Sequence, residues 1–503
     1  MRFDFDQLEF IESASPADKL AFACSDIDIT WSELAAKTNK LAWLISQYNT
    51  QDSPVIIYGS KEHFFPVAML ACIKSKVPYV TVDKIIPEER ISFIIKATGA
   101  NIMINCCEST IDFKVPVIIS PGYRIIKKEY TNPINNSIEK DLCYILFTSG
   151  STGTPKGVKI SIESVRSFVA WMNKEFPVGE DTVFINQATF SFDISLVEFL
   201  GTLSLGASAI LNSPELTKTN PAEFINRVKK YNGNFWNSTP SFIYQYLMHP
   251  EFSSANLPAL KTFLFMGEEL PSKTVERIFG AFENSKVYNA YGPTEATVVT
   301  TFIEITKQIV ADHPKSLPIG FPKSDGKILI ANESNDSSLS GEIQIAGDHV
   351  SNGYLDNVEL TNEKFFLHEG QRAYKTGDLG YYKDGIVFFE GRIDDQIKYN
   401  GYRIELDEIN SSLHRIPGII DAVTIPLKVG NTVKKLIAFI KVEVDKKDNV
   451  AEFKAEIKRT LLISIPEYMV PSEFCIIDEF PVNTNHKIDR KELAVYYSKG
   501  SWI

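Results

Sequence analysis

Cysteine is scarce: Cys24, Cys72, Cys106, Cys107, Cys143 and Cys475 are the only six in 503 residues, and none forms a CxxC pair. That pattern excludes a disulfide framework or a zinc ribbon and predicts reduced thiols in a cytoplasmic protein. Histidine is nearly as sparse, with seven residues and no HExxH spacing, so no protein-held transition metal is expected. Long apolar runs are missing as well. The stretch 196–211 is broken by Glu198 and falls short of the roughly 20 residues that span a bilayer, so membrane insertion is not expected. The first residues, Met-Arg-Phe-Asp-Phe-Asp, lack the apolar core of a secretion signal. There is no basic excess: 52 Lys and Arg against 63 Asp and Glu leave a net charge of −11, which disfavours nucleic acid as a partner. No repeat of solenoid or propeller period is present. What is left is a globular composition, 44 % hydrophobic and 23 % charged, in a chain too long for one core.

Against that background one stretch stands out, Phe147-Thr-Ser-Gly-Ser-Thr-Gly-Thr-Pro-Lys-Gly-Val158. It follows the apolar run Leu142–Phe147, which reads as a buried strand. Gly150, Gly153 and Gly157 let the backbone turn tightly. Thr148, Ser149, Ser151, Thr152 and Thr154 add hydroxyls, and Lys156 adds an ammonium. Such a loop suits a polyphosphate, bound through N–H groups, hydroxyls and one cation. It is not a P-loop, because no Gly-Lys-Ser/Thr follows the glycines.

The surrounding chain alternates strand and helix and predicts an α/β fold. Helix is expected from Thr30 to about Leu44 and over 64–75, with a strand at 55–58, further alternation through 101–121, and a polar, loop-like stretch over 125–140. In Phe190-Ser-Phe-Asp-Ile-Ser, Asp193 sits among apolar residues, where a carboxylate is costly unless partnered. It reads either as a helix cap or as the partner of a substrate ammonium. Tyr288-Asn-Ala-Tyr-Gly-Pro-Thr-Glu-Ala-Thr-Val298 offers a ring (Tyr291) and an amide (Asn289) for adenine. The turn at Gly292-Pro293 presents Thr294 for an α-phosphate and Glu295 for Mg²⁺ between phosphates. Residues 317–355 predict a small β-rich lobe. Past Gly391-Arg-Ile-Asp-Asp395, which reads as a domain boundary, a small α+β domain is expected: helix 407–415, strands 419–426 and 434–443, helix 450–462 and a strand near 473–478.

Taken in order, these motifs resemble the adenylate-forming superfamily: acyl-CoA synthetases, luciferases and the adenylation domains of peptide synthetases. The resemblance runs from about residue 20 to about residue 493. It implies a large N-terminal core of two α/β sheets plus a β-rich lobe over 1–393, and a mobile α+β lid over 394–503 hinged at Asp394. It implies ATP and Mg²⁺, with ATP held by Thr148, Ser149, Gly150, Ser151, Thr152, Gly153, Lys156, Asn289, Ala290, Tyr291, Gly292, Asp378 and Arg392. Asp378 would take both ribose hydroxyls, and Arg392 would contact ribose or phosphate. Thr294, Glu295 and Lys487 would be catalytic, with Glu295 on the metal. Where the superfamily has Asn-Gly-Lys, this chain has Asn485-His486-Lys487, a departure that bears on loop geometry.

The substrate pocket implied by the same resemblance is lined by Asp193, Ile194, Val197, Asn237, Leu264, Met266, Ala290, Val298, Val299 and Lys487. Peptide-synthetase domains keep an acid at the Asp193 position to bind an α-amino group, whereas acyl-CoA and aryl-acid enzymes generally do not. Stand-alone ligases that load D-alanine onto a carrier protein share the closest pattern, although Met266 replaces their usual cysteine. The implied activity is adenylation of a small or apolar amino acid, then thioester transfer to the phosphopantetheine of a separate carrier protein, by a monomer. Activation of an anthranilate-like or other aryl acid, an acyl-CoA ligase, and an inactive nucleotide-binding relative are the alternatives.

Overall fold

A computed structural model describes residues 18–49, 53–107, 109–129, 139, 141–150, 153–334, 336–429, 432–443, 450–481 and 488–500. The described residues fall into two compact units. The first is drawn from Met1–Lys84, Ile94–Phe147 and Gly157–Ile393; the second from Ile85–Phe93, Thr148–Lys156 and Asp394–Ile503.

The first unit begins with two short antiparallel strands, Leu20–Ala23 and Asp28–Thr30, and the helix Trp31–Tyr48. That helix starts at a capping box. The Thr30 hydroxyl accepts the Glu33 N–H while the Glu33 carboxylate accepts the Thr30 N–H at 2.9 Å. A seven-stranded sheet follows in the order Arg124–Lys127, Val117–Ser120, Ile102–Asn105, Val55–Gly59, Tyr79–Asp83, Leu142–Thr148, Lys156–Ser161. Its central strands are parallel and buried throughout, which explains runs such as Val55-Ile-Ile-Tyr with no polar alternation. The stretch expected to be a loop from 125 begins instead with the strand Arg124–Lys127, antiparallel to Val117–Ser120. An edge strand tolerates the exposed Arg124 and Lys127 that made it read as polar.

A nine-stranded sheet carries the order Phe321–Pro322, Thr301–Glu304, Lys286–Tyr291, Thr262–Phe265, Phe235–Ser238, Val183–Asn186, Ser208–Leu211, Leu20–Ala23, Asp28–Thr30. The six consecutive strands from Lys286–Tyr291 to Leu20–Ala23 are parallel. The β-rich lobe is a five-stranded antiparallel sheet of Gly326–Ala331, Gly341–Gly347, Gln371–Lys383 and Phe365–His368, with Ile386–Arg392 paired to Gln371–Lys383.

In the second unit, the hairpin Gln396–Tyr399/Tyr402–Glu405 leads into helix Leu406–His414. The sheet is Ile419–Val429, Thr432–Val442 and Glu473–Ile476, with helices Val450–Ser464 and Arg490–Lys499. The hairpin and the last helix were not among the sequence expectations, although both carry signals. Asn400-Gly401 has positive φ at both positions, the two-residue turn that joins twisted strands. Asp489 caps the last helix by accepting two N–H groups, and Gly500 closes it in the left-handed region.

Buried under the β-rich lobe is His349, with no hydrogen-bond partner on either ring nitrogen among the described residues. Its ring lies where a Cβ on Gly326 or Gly347 would stand, 2.7 and 2.9 Å away, so both positions must lack a side chain. Burial first, and then the Lys323 ammonium, lower its pKa to about 3. The unfolded chain binds this proton near pH 6.5 and the folded chain does not, so stability is fully present above pH 6.5 and is lost as pH falls. Between pH 6.5 and 4.5 the loss from this group is about 2 kcal/mol, the slope rising toward about 1.36 kcal/mol per pH unit as the unfolded imidazole becomes fully protonated. Urea titrations at several pH values are expected to show that component in the wild type and its absence in His349→Leu. Parallel pH slopes in the two proteins would mean that His349 titrates normally.

Candidate active site

Parallel register assembles an apolar row at the carboxyl ends of three adjacent strands. Asn237 lies opposite Leu264, and Leu264 opposite Tyr288. Side chains alternate across a strand, so Met266 and Ala290 continue the same face two residues further on. The cores reflect this alternation. Phe235, Leu264, Met266, Tyr288 and Ala290 pack in one cluster, whereas Trp236, Phe263, Phe265 and Val287 pack in another behind the sheet. Ile194, Val197, Val298 and Val299 join the first cluster. Nearly all the expected pocket residues of this unit therefore meet on one face. Carboxyl ends of parallel strands are where open α/β sheets bind ligands.

Asp193 stands at the start of a short 3₁₀ turn, Asp193–Ser195, that runs into the helix Leu196–Leu205. Phe192 occupies the N-cap of that turn and Ser195 the N-cap of the helix, so Asp193 is not the cap. Its carboxylate lies near enough to the buried Tyr144 phenol to raise that group's pKa, second to burial itself. The Tyr144 hydroxyl has no hydrogen-bond partner among the described residues. The segment before Asp193 is tied to strand Tyr79–Asp83: the Thr81 hydroxyl donates to the Phe190 carbonyl at 2.5 Å, and the Ser191 hydroxyl accepts the Asp83 N–H at 2.8 Å.

Strand Lys286–Tyr291 delivers the Gly-Pro-Thr-Glu turn. A Cβ on Gly292 would stand 2.7 Å from the Val298 carbonyl oxygen, so the turn closes tightly on itself. Thr297 and Val298 follow with φ of 52° and 71°. A left-handed β-branched residue is a strained conformation of the kind found at functional sites. Glu295 is fully buried; its Oε1 accepts the Tyr354 hydroxyl at 2.8 Å, and its carbonyl accepts the Ser351 N–H. Asn289 donates its amide to the Pro318 carbonyl at 2.8 Å. Tyr291, expected to offer a ring face, is mostly buried, and its hydroxyl donates to Asp378 Oδ2 at 2.5 Å. Arg392, directly opposite Asp378 in the lobe's sheet, holds the other carboxylate oxygen.

The glycine loop lies in the second unit, and there it already binds anions. The Gly150 N–H donates to Glu408 Oε2 at 3.2 Å, and Lys156 Nζ lies 3.7 Å from Glu405 Oε1. The Ser149 hydroxyl donates to the Arg403 carbonyl at 2.8 Å. Arg90 pairs with the other Glu408 oxygen at 2.5 Å, both groups buried. Gly153 has φ of 80°, and a Cβ there would meet the Ser411 hydroxyl at 2.4 Å. Thr148 Oγ1 is buried with no hydrogen-bond partner among the described residues. Asp394 is the first residue of the last segment of this unit. Ser151, Thr152, His486 and Lys487 lie outside the described residues.

Several site-adjacent groups escaped the sequence reading. Tyr354 comes from Gly353-Tyr354, noted only as part of a β-rich stretch, yet its hydroxyl orients Glu295 and its backbone bridges to Val158. Lys61, fully buried, donates to Asn186 Oδ1 at 2.5 Å and to the Ala188 carbonyl, with Nζ 4.0 Å from the Phe190 ring centroid. Glu198, also fully buried, projects from the helix that follows Asp193. A glutamate interrupting the apolar run 196–211 was the available signal for it.

The sheets, the site clusters and the glycine loop define an adenylation-type α/β enzyme. Among solved structures, the Vibrio cholerae adenylation domain AlmE in complex with glycyl-adenosine-5′-phosphate shares this fold with a TM-score of 0.82 and 22 % identity, over 98 % of this chain and 97 % of that one. The chain belongs to the AMP-binding enzyme family, which matches residues 10–355. It is similar to the D-alanine–D-alanyl carrier protein ligase of Bacillus velezensis, at 39 % identity over 94 % of this chain and 95 % of the relative. The Bacillus licheniformis protein of the same name is 38 % identical over 95 % of this chain and 96 % of its own length. Among the described residues, no helix is long and apolar enough to cross a membrane.

Proposed function

We propose that this protein is an ATP-dependent ligase that adenylates a small amino acid, with D-alanine the leading candidate. It then passes the acyl group to the phosphopantetheine thiol of a separate carrier protein. The observation that carries the amino-acid reading is Asp193, a carboxylate beside the apolar row that is not consumed as a helix cap. The names of relatives similar over nearly the whole chain support D-alanine and the carrier protein.

In the first step a substrate carboxylate oxygen attacks the α-phosphorus of ATP, and the bond to the β-phosphate oxygen breaks to release pyrophosphate. In the second step the thiol sulfur attacks the acyl carbonyl, its proton is lost, and AMP leaves. Most of the catalytic work is positioning and charge neutralisation. Asp193 orients the amino acid through its ammonium. Thr148–Lys156 hold phosphates, in keeping with a loop whose N–H and ammonium groups already face carboxylates. Asp378, fixed by Arg392 and Tyr291, accepts the ribose hydroxyls. Asn289, Ala290, Tyr291 and Gly292 form the adenine side, and Thr294 contacts the α-phosphate.

Glu295 is the residue that would hold Mg²⁺, whose contribution is to neutralise phosphate charge. Its fit rests on the donor it offers, one fully buried carboxylate. Mg²⁺ characteristically takes one or two carboxylates and completes its shell with phosphates and water. Residues 1–393 form the adenylating core and 394–503 a lid that turns at Asp394. The setting for this chemistry is the cytoplasm.

Pyrophosphate exchange across D- and L-amino acids, aminobenzoates and fatty acids tests the assignment; activation confined to acids without an amino group overturns it. Lys487→Ala is expected to slow adenylation by about 10²-fold, the loss of roughly 3 kcal/mol of transition-state charge stabilisation. ATP affinity should barely change. Single-turnover adenylate formation within a few-fold of wild type would remove Lys487 from the chemistry.

A further inference from the structure

The glycine loop shares its unit with the helix Leu406–His414, and one side of that helix closes on it. Glu405, Glu408 and Ser411 recur every three residues from the N-cap onward, so they fall on the same side. All three meet the loop. Glu408 Oε2 accepts the Gly150 N–H at 3.2 Å, and Glu405 Oε1 lies 3.7 Å from Lys156 Nζ. Ser411 fills the space beside Gly153, where a Cβ would meet its hydroxyl at 2.4 Å. The backbone follows the same line: the Ser149 hydroxyl donates to the Arg403 carbonyl at 2.8 Å and accepts the Glu405 N–H at 3.2 Å.

Both carboxylates are held in place from behind. Arg90 pairs with Glu408 Oε1 at 2.5 Å, which leaves Oε2 to the loop, and both side chains are buried. Gln396 donates its amino group to Glu405 Oε1 and accepts the Arg403 Nε–H at 2.7 Å on its amide oxygen. Glu405 stands at the N-cap yet makes no side-chain hydrogen bond to its own helix. A backbone N–H and an ammonium that face carboxylate oxygens would serve phosphate oxygens in the same way. The Gly150 N–H carries one hydrogen, so it cannot serve both well.

We propose that Glu408, supported by Glu405, is a built-in stand-in for pyrophosphate that caps the glycine loop and sets the direction of the reaction. The inference rests on the ligase reading given above and adds a gate to it. ATP seats its phosphates in the loop by displacing the two carboxylates. When pyrophosphate leaves, the carboxylates return, and free pyrophosphate must then compete with groups tethered to the same chain. In the reverse step a pyrophosphate oxygen attacks the α-phosphorus of the acyl-adenylate, the acyl carboxylate leaves and ATP re-forms. Capping the loop suppresses that step and keeps the adenylate for the thiol. Arg90 and Gln396 are positioning residues that aim the carboxylates.

The test is calorimetric titration of the intact protein with inorganic pyrophosphate, with no amino acid present. Glu408→Gln keeps the shape and still offers Arg90 an acceptor. It should bind pyrophosphate about 10-fold more tightly than the wild type, the worth of one hydrogen bond to a charged group, because a loop partly occupied by its own carboxylate binds in proportion to its open fraction. Glu405→Gln leaves the Arg90 pair intact and should tighten binding about 3-fold, which keeps the test open if the first variant is unstable. Asp407→Asn is the control: it removes the same charge from the same turn, but that carboxylate faces Arg490, and binding should change by less than about 2-fold. With acyl-adenylate, pyrophosphate and a pantetheine thiol supplied together, Glu408→Gln should also raise the yield of ATP over thioester by about 10-fold. Unchanged or weaker pyrophosphate binding in both glutamate variants, at unchanged melting profiles, overturns the proposal and leaves the carboxylates structural. Equal tightening in Asp407→Asn also overturns it, since net charge alone would then explain the gain. If neither the wild type nor any variant binds pyrophosphate, the phosphate role of the loop falls together with the cap. Tightening in a protein that activates no acid upholds the cap and overturns the ligase reading alone.

Discussion

Asp193→Asn should reduce kcat/KM for the true amino-acid substrate by about 30- to several-thousand-fold, because truncating one member of a desolvated charge pair typically costs about 2–5 kcal/mol. The amide can still hydrogen-bond the ammonium, but the charge is gone. The loss should fall mainly on KM if ground and transition states feel the contact alike. A des-amino analogue never engages the carboxylate and should lose far less on the same substitution. The two ratios form a cycle that separates ammonium recognition from general damage. With Phe192 and Ser195 in the cap positions, a capping role predicts no difference between the two substrates. Equal losses would therefore end the amino-acid assignment and favour an aryl or fatty acid.

A comparably large effect is expected on stability from Lys61→Met, a change that roughly conserves volume but removes the buried ammonium. Asp83 and Glu198 both act on Lys61 electrostatically, and burial raises the Glu198 pKa while lowering that of Lys61. Without the cation these carboxylates keep their desolvation cost and lose their compensation. Breaking a buried pair in this way costs about 3–5 kcal/mol. Adding Glu198→Gln should restore part of that loss, because a neutral amide needs no counter-charge. The pH dependence has a definite sign. Glu198 has a raised folded pKa, so its charge opposes folding increasingly as pH rises and is relieved as pH falls through that value. The deficit of Lys61→Met should thus grow from pH 5 to pH 8. Denaturant unfolding of the three proteins at both pH values checks this; a deficit that is independent of pH and of Glu198 would reduce Lys61 to a packing element.

Much of the site could be read along the chain because its signals are contiguous. The glycine loop and the Tyr-Gly-Pro-Thr-Glu turn each carry their chemistry within about a dozen residues, and turn chemistry is local. Asp193 was conspicuous because a carboxylate in an apolar run needs a partner. The strand expected as a loop at Arg124–Lys127 was hidden because charge on an edge strand resembles charge in a loop. The hairpin at Asn400-Gly401 was hidden inside a motif read as a boundary.

The sequence by itself determined the fold class, the positions of the glycine loop and the Gly-Pro-Thr-Glu turn, and the acid at 193. Each follows from residue type and spacing over a few turns of chain. Only the tertiary structure decided that Asn237 stands beside Leu264, that Tyr354 holds Glu295, that Tyr291 serves Asp378, and that Lys61 reaches Asn186 across 125 residues of sequence. Parallel strands are joined by long crossovers, so neighbours in the sheet are distant in the chain, and no local pattern records which side chains meet. The polarity of a buried amide depends still more on its surroundings. It is set by the acceptors packed around Asn237, the Ile194 carbonyl and the Glu198 carboxylate, and the asparagine alone carries no trace of them.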